Sequence, residues 1–147
     1  MKRLEMLLLT EMWVDRTDYH HTQVVQGDLP TPCKGEILVA VAKFAMTANN
    51  VTYAASGHIF GYWQFYPTGE DPWGKVTVWG IGEVLASHAE GFAVGERLYG
   101  VFPMASHVVM KPDECSERGF TDAMPHRSEL SGLYNYYSRT QSEPAQL

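Results

Sequence analysis

The run Ile37-Leu38-Val39-Ala40-Val41-Ala42-Lys43-Phe44-Ala45 limits the fold more than any other stretch of the chain. It is nearly continuous in β-branched and small apolar residues and has the length of a single strand, so it needs cover on both faces, as in a barrel wall. The segment before it, Leu29-Pro30-Thr31-Pro32-Cys33-Lys34-Gly35-Glu36, holds two prolines and a glycine that exclude regular structure and force an exposed turn. The same punctuation recurs along the chain. Met12-Trp13-Val14-Asp15 and Thr22-Gln23-Val24-Val25-Gln26 read as two strands of an opening hairpin. The segment from Val76 to Ser87 alternates as a long strand in which Gly80 and Gly82 are expected to make bulges or bends. Leu98 to Phe102 and Ala105 to Lys111 add two more strands. Short strands between Gly/Pro turns, with little helix, describe an open or closed barrel rather than alternating βα units.

The β pattern lapses between Met46 and Gly57, where Thr47 or Asn49 can cap a short helix and Gly57 can end it. Six aromatics follow between Phe60 and Trp73, more than a solvent loop exposes without a partner. They form either part of the core or a lid that stacks on a substrate. Beyond Pro112 the chain turns polar, carries Pro125 and Pro144, and keeps one apolar cluster from Leu130 to Tyr137. Leu133, Tyr134 and Tyr137 stand at helical spacing there. The expected layout is mainly β: a partly open barrel over residues 1–113 with one or two short helices, then an irregular connector over 114–147 whose short helix docks on something outside this chain.

With 147 residues the chain can bury one sizeable core. Its formal charge of -6, without a cluster of Lys and Arg, excludes a nucleic-acid or anionic-membrane surface, so small molecules or proteins are the expected partners. The run Met6-Leu7-Leu8-Leu9 is interrupted by Glu5 and Glu11, too short for a leader or a membrane span, and a cytoplasmic protein is expected. Cys33 and Cys115 lie far apart and read as free thiols. His20 and His21 are neighbours on a strand, point to opposite faces and cannot share one metal ion.

Three pieces, in order, carry a family resemblance. They are Lys34-Gly35-Glu36-Ile37-Leu38-Val39-Ala40-Val41, then Gly80-Ile81-Gly82-Glu83-Val84 with Gly91-Phe92-Ala93-Val94-Gly95-Glu96-Arg97-Leu98-Tyr99-Gly100, and finally Ala105-Ser106-His107-Val108-Val109-Met110-Lys111-Pro112-Asp113. Together they resemble the GroES-like catalytic domain of the medium-chain dehydrogenase/reductase superfamily, over about residues 12 to 113. The middle piece is the most specific. Gly95 and Gly100 would supply positive-φ turns and close backbone approach there, and Glu96-Arg97 would be a surface ion pair of small energetic weight. The aromatic insert from Phe60 to Trp73 departs from the pattern and points to a distant bacterial branch.

The resemblance implies chemistry as well as fold. Zinc-dependent members carry a Cys soon after the strand and a Gly-His-Glu further on, whereas this chain has Ala45-Met46-Thr47-Ala48-Asn49-Asn50 and Gly57-His58-Ile59. No zinc ligand set is expected, which places the chain in the zinc-free, quinone-oxidoreductase-like branch. In that branch an Asn of this loop faces the nicotinamide and the substrate carbonyl, and Asn49 or Asn50 falls at that position. An amide donor there can hydrogen-bond an oxygen that becomes negative during hydride transfer, with Thr47 beside it and Tyr53, Tyr62 and Trp63 shaping an apolar cleft for a flat substrate. Against this stands a purely capping role for the same Asn and Thr residues.

No Gly-x-Gly-x-x-Gly lies between a strand and a helix, so no cofactor is expected in this chain, and NADP or NAD is expected for a longer parent. The leading expectation is a catalytic-domain fragment of a zinc-independent reductase for a carbonyl or quinone-like molecule, inactive alone and, with Leu133, Tyr134 and Tyr137 uncovered, a homodimer or larger. A binding module with the same barrel is the alternative. A co-chaperonin ranks third, because residues 46–57 do not resemble a mobile chaperonin-binding loop.

Overall fold

The structure, a computed structural model, describes residues 8–127 and 132–140. The opening hairpin forms as its sequence indicates, from β1 (Leu8–Asp15) and β2 (Asp18–Asp28), paired antiparallel. Strand β3 (Ile37–Ala45) follows the proline-rich turn, and the short β4 (Trp73–Gly74) joins the hairpin to make a three-stranded sheet of order β2-β1-β4. Nearly all of β2 is exposed, so it serves as an edge.

The barrel wall uses β3 with β5 (Thr77–Ser87), β6 (Arg97–Pro103), β7 (His107–Met110), β8 (Pro112–Asp113), β9 (Gly119–Asp122) and β10 (Tyr136–Arg139). These seven strands run in the order β7-β3-β5-β6-β10-β9-β8, all antiparallel. Only Lys111 separates β7 from β8, so the two edges of the sheet are neighbours in sequence and the sheet curls almost to closure. The hairpin docks across this wall through the Met12 N–H on the Met104 carbonyl (3.0 Å) and the Ser106 N–H on the Thr10 carbonyl (2.8 Å).

Along β5 the pleat separates the two faces: Val78, Gly80, Gly82 and Val84 are buried, while Trp79, Ile81, Glu83 and Leu85 turn outward. The inner face joins Ile37, Val39, Leu98, Phe102, Met110, Phe120 and Tyr137 in one core. Each large apolar side chain so buried stabilises the fold by about 1.5–3 kcal/mol. The irregularity expected at Gly80 and Gly82 lies across from them instead, where the β3 register shifts between Val41 and Lys43. The glycines themselves permit close packing. A Cβ on Gly80 would stand 2.3 Å from the Lys43 carbonyl oxygen, and one on Gly82 would stand 2.4 Å from a Val39 methyl.

The connector expected over 114–147 is corrected by the topology. Strands β9 and β10 lie inside the barrel sheet, with Ser138 opposite Tyr99 of β6 and Tyr137 opposite Phe120. The wall therefore runs on to Arg139 rather than stopping at Asp113. The short helix expected from the spacing of Leu133, Tyr134 and Tyr137 is a single turn, α3 (Gly132–Asn135), after which the chain extends. Tyr137 is fully buried, Tyr134 half-buried, and only Leu133 is exposed as expected, at 68%. The Glu96-Arg97 surface pair is corrected too: Glu96 is buried and paired with Arg139, because strand alternation turns Arg97 outward. Of the two family glycines, Gly95 takes a positive φ of 94°, whereas Gly100 gives room to the Tyr137 ring.

Cys33 and Cys115 are free and exposed. Among the described residues no helix is long and apolar enough to cross a membrane. Met6 and Leu7 of the leader-like run, Leu130 of the apolar cluster, and Pro144 lie outside the described residues.

Candidate functional site

The break in the β pattern after β3 is the helix α1 (Ala48–Ala55), followed by the short α2 (Gly57–Phe60) and a 3-10 turn at Tyr62–Gln64. Thr47 is the N-cap. Its hydroxyl accepts the Asn49 N–H at 3.3 Å, and the Asn50 side chain reaches back to accept the Thr47 N–H at 2.6 Å, which completes a capping box. Asn50 also donates its amide to the Thr77 carbonyl at 2.9 Å and is buried. Both ends of this side chain are thus engaged with backbone. Asn49 is exposed. Ser56 caps the end of α1, where Gly57 was expected to stop it.

Helical spacing divides the candidates. Asn49 and Tyr53, four residues apart, share one face of α1, while Asn50 and Ala54 share another that turns toward the hairpin and the barrel. Tyr53 opens an aromatic surface. Its ring lies 4.7 Å from Tyr62 between centroids, and its hydroxyl accepts a hydrogen bond from the Trp79 indole at 3.4 Å. Tyr134 of α3 completes the group, 5.6 Å from Tyr62 and 6.2 Å from Trp79. Tyr99 stacks on Trp79 at 5.7 Å. The hydroxyls of Tyr62 and Tyr134 meet at 3.2 Å, and this bond, with some burial, pushes the Tyr134 phenol above its ordinary range. Trp79 and Tyr99 are outward residues of β5 and β6, so the aromatic surface lies on the outside of the barrel wall.

Trp63 is elsewhere. It is packed with Val14, Ala54 and Val76 in a second core cluster, and Gly57 and Gly74 provide the room its indole needs, since a Cβ on either would come within 2.5 Å of the ring. Phe65 and Tyr66 of the aromatic insert are buried as well; Phe65 backs the aromatic surface from beneath, its ring 6.0 Å from Tyr62 and 5.6 Å from Tyr134, while Tyr62 is the partly exposed one of these four. The Phe60 side chain lies outside the described part of the molecule.

Behind the aromatic surface lies a polar centre that sequence reading missed. Arg127, fully buried, donates from Nη1 to the Tyr66 hydroxyl (2.6 Å), the Asp122 carboxylate (2.8 Å) and the Tyr137 hydroxyl (2.8 Å), and from Nη2 to the Tyr134 carbonyl (2.8 Å). Both phenols also donate to the Val101 carbonyl. Asp122 accepts the Lys111 and Met124 N–H groups through its other oxygen. Burial opposes the charge on Arg127, and the two tyrosine oxygens with Asp122 outweigh it and raise its pKa. Burial also raises the Tyr66 phenol, and it pushes the Tyr137 phenol up to about 12. The contact to Tyr134 makes this centre the rear support of the aromatic surface. The sequence holds no sign of it, since its members are scattered from position 66 to position 137.

His21 sits beside Asp15 with Nδ1 and Oδ2 at 3.2 Å, and His20 does not join it. Hydrogen bonds from the Thr17 hydroxyl and N–H hold the Asp15 carboxyl down at about 2. Among the described residues, no three His, Cys, Asp or Glu side chains cluster closely enough to hold a metal ion.

Comparison with protein families matches residues 44–147 to the family described as a protein of unknown function, DUF2855. No curated protein matches the chain. Among solved structures, CurA from Vibrio vulnificus superposes over 71% of this chain and 31% of its own, with a TM-score of 0.52 and 16% identity. The human synaptic vesicle membrane protein VAT-1 homolog-like protein aligns over 75% and 37%, with a TM-score of 0.47 and 16% identity. ECK1772 from Escherichia coli, described as an oxidoreductase/dehydrogenase of unknown specificity involved in membrane biogenesis, aligns over 88% and 37%, with a TM-score of 0.43 and 15% identity. The likeness to CurA is one of fold, and the chain spans about a third of the length of these structures.

Proposed function

From a chain that belongs to the DUF2855 family and folds as a GroES-like barrel, we propose the substrate-holding part of a zinc-independent, NAD(P)H-dependent oxidoreductase for a carbonyl or quinone-like molecule. The observation that carries this reading is the aromatic surface of Tyr53, Tyr62, Trp79, Tyr99 and Tyr134, to which α1 contributes Tyr53 from the same helix face that bears Asn49. Flat, electron-rich rings take a flat substrate by stacking, and an exposed amide at the first turn of α1 can donate to its oxygen. Asn49 suits this better than Asn50, whose amide already joins Thr47 to Thr77. Thr47 contributes by fixing that turn.

The described residues do not offer the cradle a dinucleotide needs. Its pyrophosphate is held by a glycine-rich loop between a strand and a helix, where missing side chains let backbone approach the phosphate. Gly80 and Gly82 lie within β5, and their open sides are already filled by Lys43 and Val39. The cofactor would rest on another part of a longer protein, and this chain would hold and orient the substrate. Exposed Ile59 (80%) and Leu133 (68%) offer apolar cover to a neighbouring domain, or to a second copy when the chain is alone.

The test is quinone reduction by NADPH with a full-length DUF2855 protein carrying this barrel. Asn49→Ala should lower kcat by roughly 10²-fold or more, as loss of one oxyanion donor does. Asn50→Ala should act mainly on stability. The isolated chain should show no calorimetric binding of NADPH. Substrate binding without turnover by the full-length protein would leave the binding-module reading in its place.

A further inference from the structure

On the other side of α1 from Tyr53, the helix, the hairpin and the barrel border a hollow of about 210 Å³ that is open to solvent on one side. Its walls are the methionines Met12, Met46 and Met104 with Val14, Val76 and Ala54. We infer that this hollow is a binding site for a small, uncharged apolar molecule of about the size of a substituted benzene ring. The inference stands apart from the reductase reading, because it uses the opposite face of α1 and needs neither cofactor nor turnover.

The polar groups of the lining decide the ligand class. Tyr19 donates its hydroxyl to the Ala54 carbonyl at 3.1 Å, and Asn50 has its oxygen on the Thr47 N–H and its nitrogen on the Thr77 carbonyl. Both are turned into the protein rather than toward a guest. Thr22 stands at the solvent edge, and no charged residue lines the space. An ion entering would lose water and gain no partner, which is too costly to compensate, whereas an apolar molecule loses nothing. Size follows from volume: an apolar cavity of about 150 Å³ in another protein holds benzene, so this one admits a ring with a substituent. Unbranched, polarizable methionine side chains adapt to more than one shape.

Access is also visible. Met46 and Val51 at the rim are 62% and 58% exposed, so a guest enters from solvent without opening the barrel and covers both side chains as it does.

The experiment is a toluene titration of the chain labelled with ¹³C on its methionine methyls, read by NMR, with benzoate as the charged probe of equal shape. The sequence holds seven methionines, and Met110, buried in the barrel core, reports non-specific effects. Toluene should shift the Met12, Met46 and Met104 methyls saturably and leave Met110 still, and benzoate at the same concentration should shift none of them. Val51→Trp and Met46→Trp, both at exposed rim positions that tolerate a larger side chain, should each weaken toluene binding at least tenfold. Overturning results are the absence of saturable shifts, equal shifts with benzoate, movement of Met110 alongside the others, or wild-type affinity in both Trp variants.

Discussion

Removing the Arg127 side chain should unfold this barrel more readily than any change on its outer face. Arg127→Met keeps much of the apolar volume and deletes four donated hydrogen bonds, to Tyr66, Asp122, Tyr137 and the Tyr134 carbonyl. Asp122, only 2% exposed, would then keep two backbone N–H groups but no countercharge. Breaking one half of a buried ion pair costs about 3–5 kcal/mol, a large share of the roughly 5–15 kcal/mol that holds a domain together. With a urea dependence of about 1–3 kcal/mol/M, the midpoint should fall by about 2 M. The assay is equilibrium urea unfolding followed by tryptophan fluorescence. Adding Asp122→Asn to Arg127→Met removes the stranded charge, keeps an acceptor for the Lys111 and Met124 N–H groups, and should recover roughly half of the loss. A single variant within about 1 kcal/mol of wild type, or a double variant no more stable than the single, would refute the reasoning, since either result means the ion pair is not what holds β9 and β10 to the wall.

Gly100→Ala should cost about 1–3 kcal/mol in the same assay by overpacking, because its Cβ would stand 2.4 Å from the Tyr137 ring; Gly27→Ala, with nothing within 4 Å, should be nearly neutral. In acid, Asp15 supplies a pH dependence of known sign. Its folded pKa of about 2 lies below the ordinary 3.8, so its contribution is full above about pH 4 and is lost as pH falls toward 2; Thr17→Ala should flatten that slope in unfolding curves taken at pH 5 and pH 2.5. In alkali the sign reverses in pH but follows the same linkage: Tyr137, raised from 10.0 to about 12, stabilises fully below pH 10 and loses its contribution as pH climbs through 12, which unfolding at pH 9 and pH 11 should show.

What the sequence disclosed were features with local causes. The apolar run of β3, the hairpin, the long alternation of β5 and the Thr47 cap each follow from a few adjacent residues. The misread parts depend on partners far away in the chain. Gly119–Asp122 and Tyr136–Arg139 are four-residue strands with too little alternation to register as a pattern, and they become strands because β6 and each other complete their hydrogen bonds. Glu96 read as a surface residue because its sequence neighbour is Arg97, yet its partner Arg139 lies 43 residues on. The aromatic insert was ambiguous for a related reason: composition marked Trp63 and Tyr62 as alike, and only Gly57 and Gly74, which make room for the indole, send Trp63 inward.

The same long-range dependence couples the candidate site to the barrel's completion. Tyr134 belongs to the aromatic surface and Tyr137 to the core, and they lie three residues apart on the segment that the sequence presented as a connector. Arg127 holds the two together, with Nη1 on the Tyr137 hydroxyl and Nη2 on the Tyr134 carbonyl. Its Asn135 contact, in which the amide donates to the Arg127 carbonyl at 3.0 Å, ties the turn between them to the same centre. Docking of the last strands therefore does two things in one step: it closes the wall beside β6, and it brings Tyr134 against Tyr53, Tyr62 and Trp79. A chain in which β10 failed to dock would keep Asn49 on α1 but lose Tyr134 from the aromatic surface, so the geometry of the candidate site depends on the packing of a segment far from α1 in sequence.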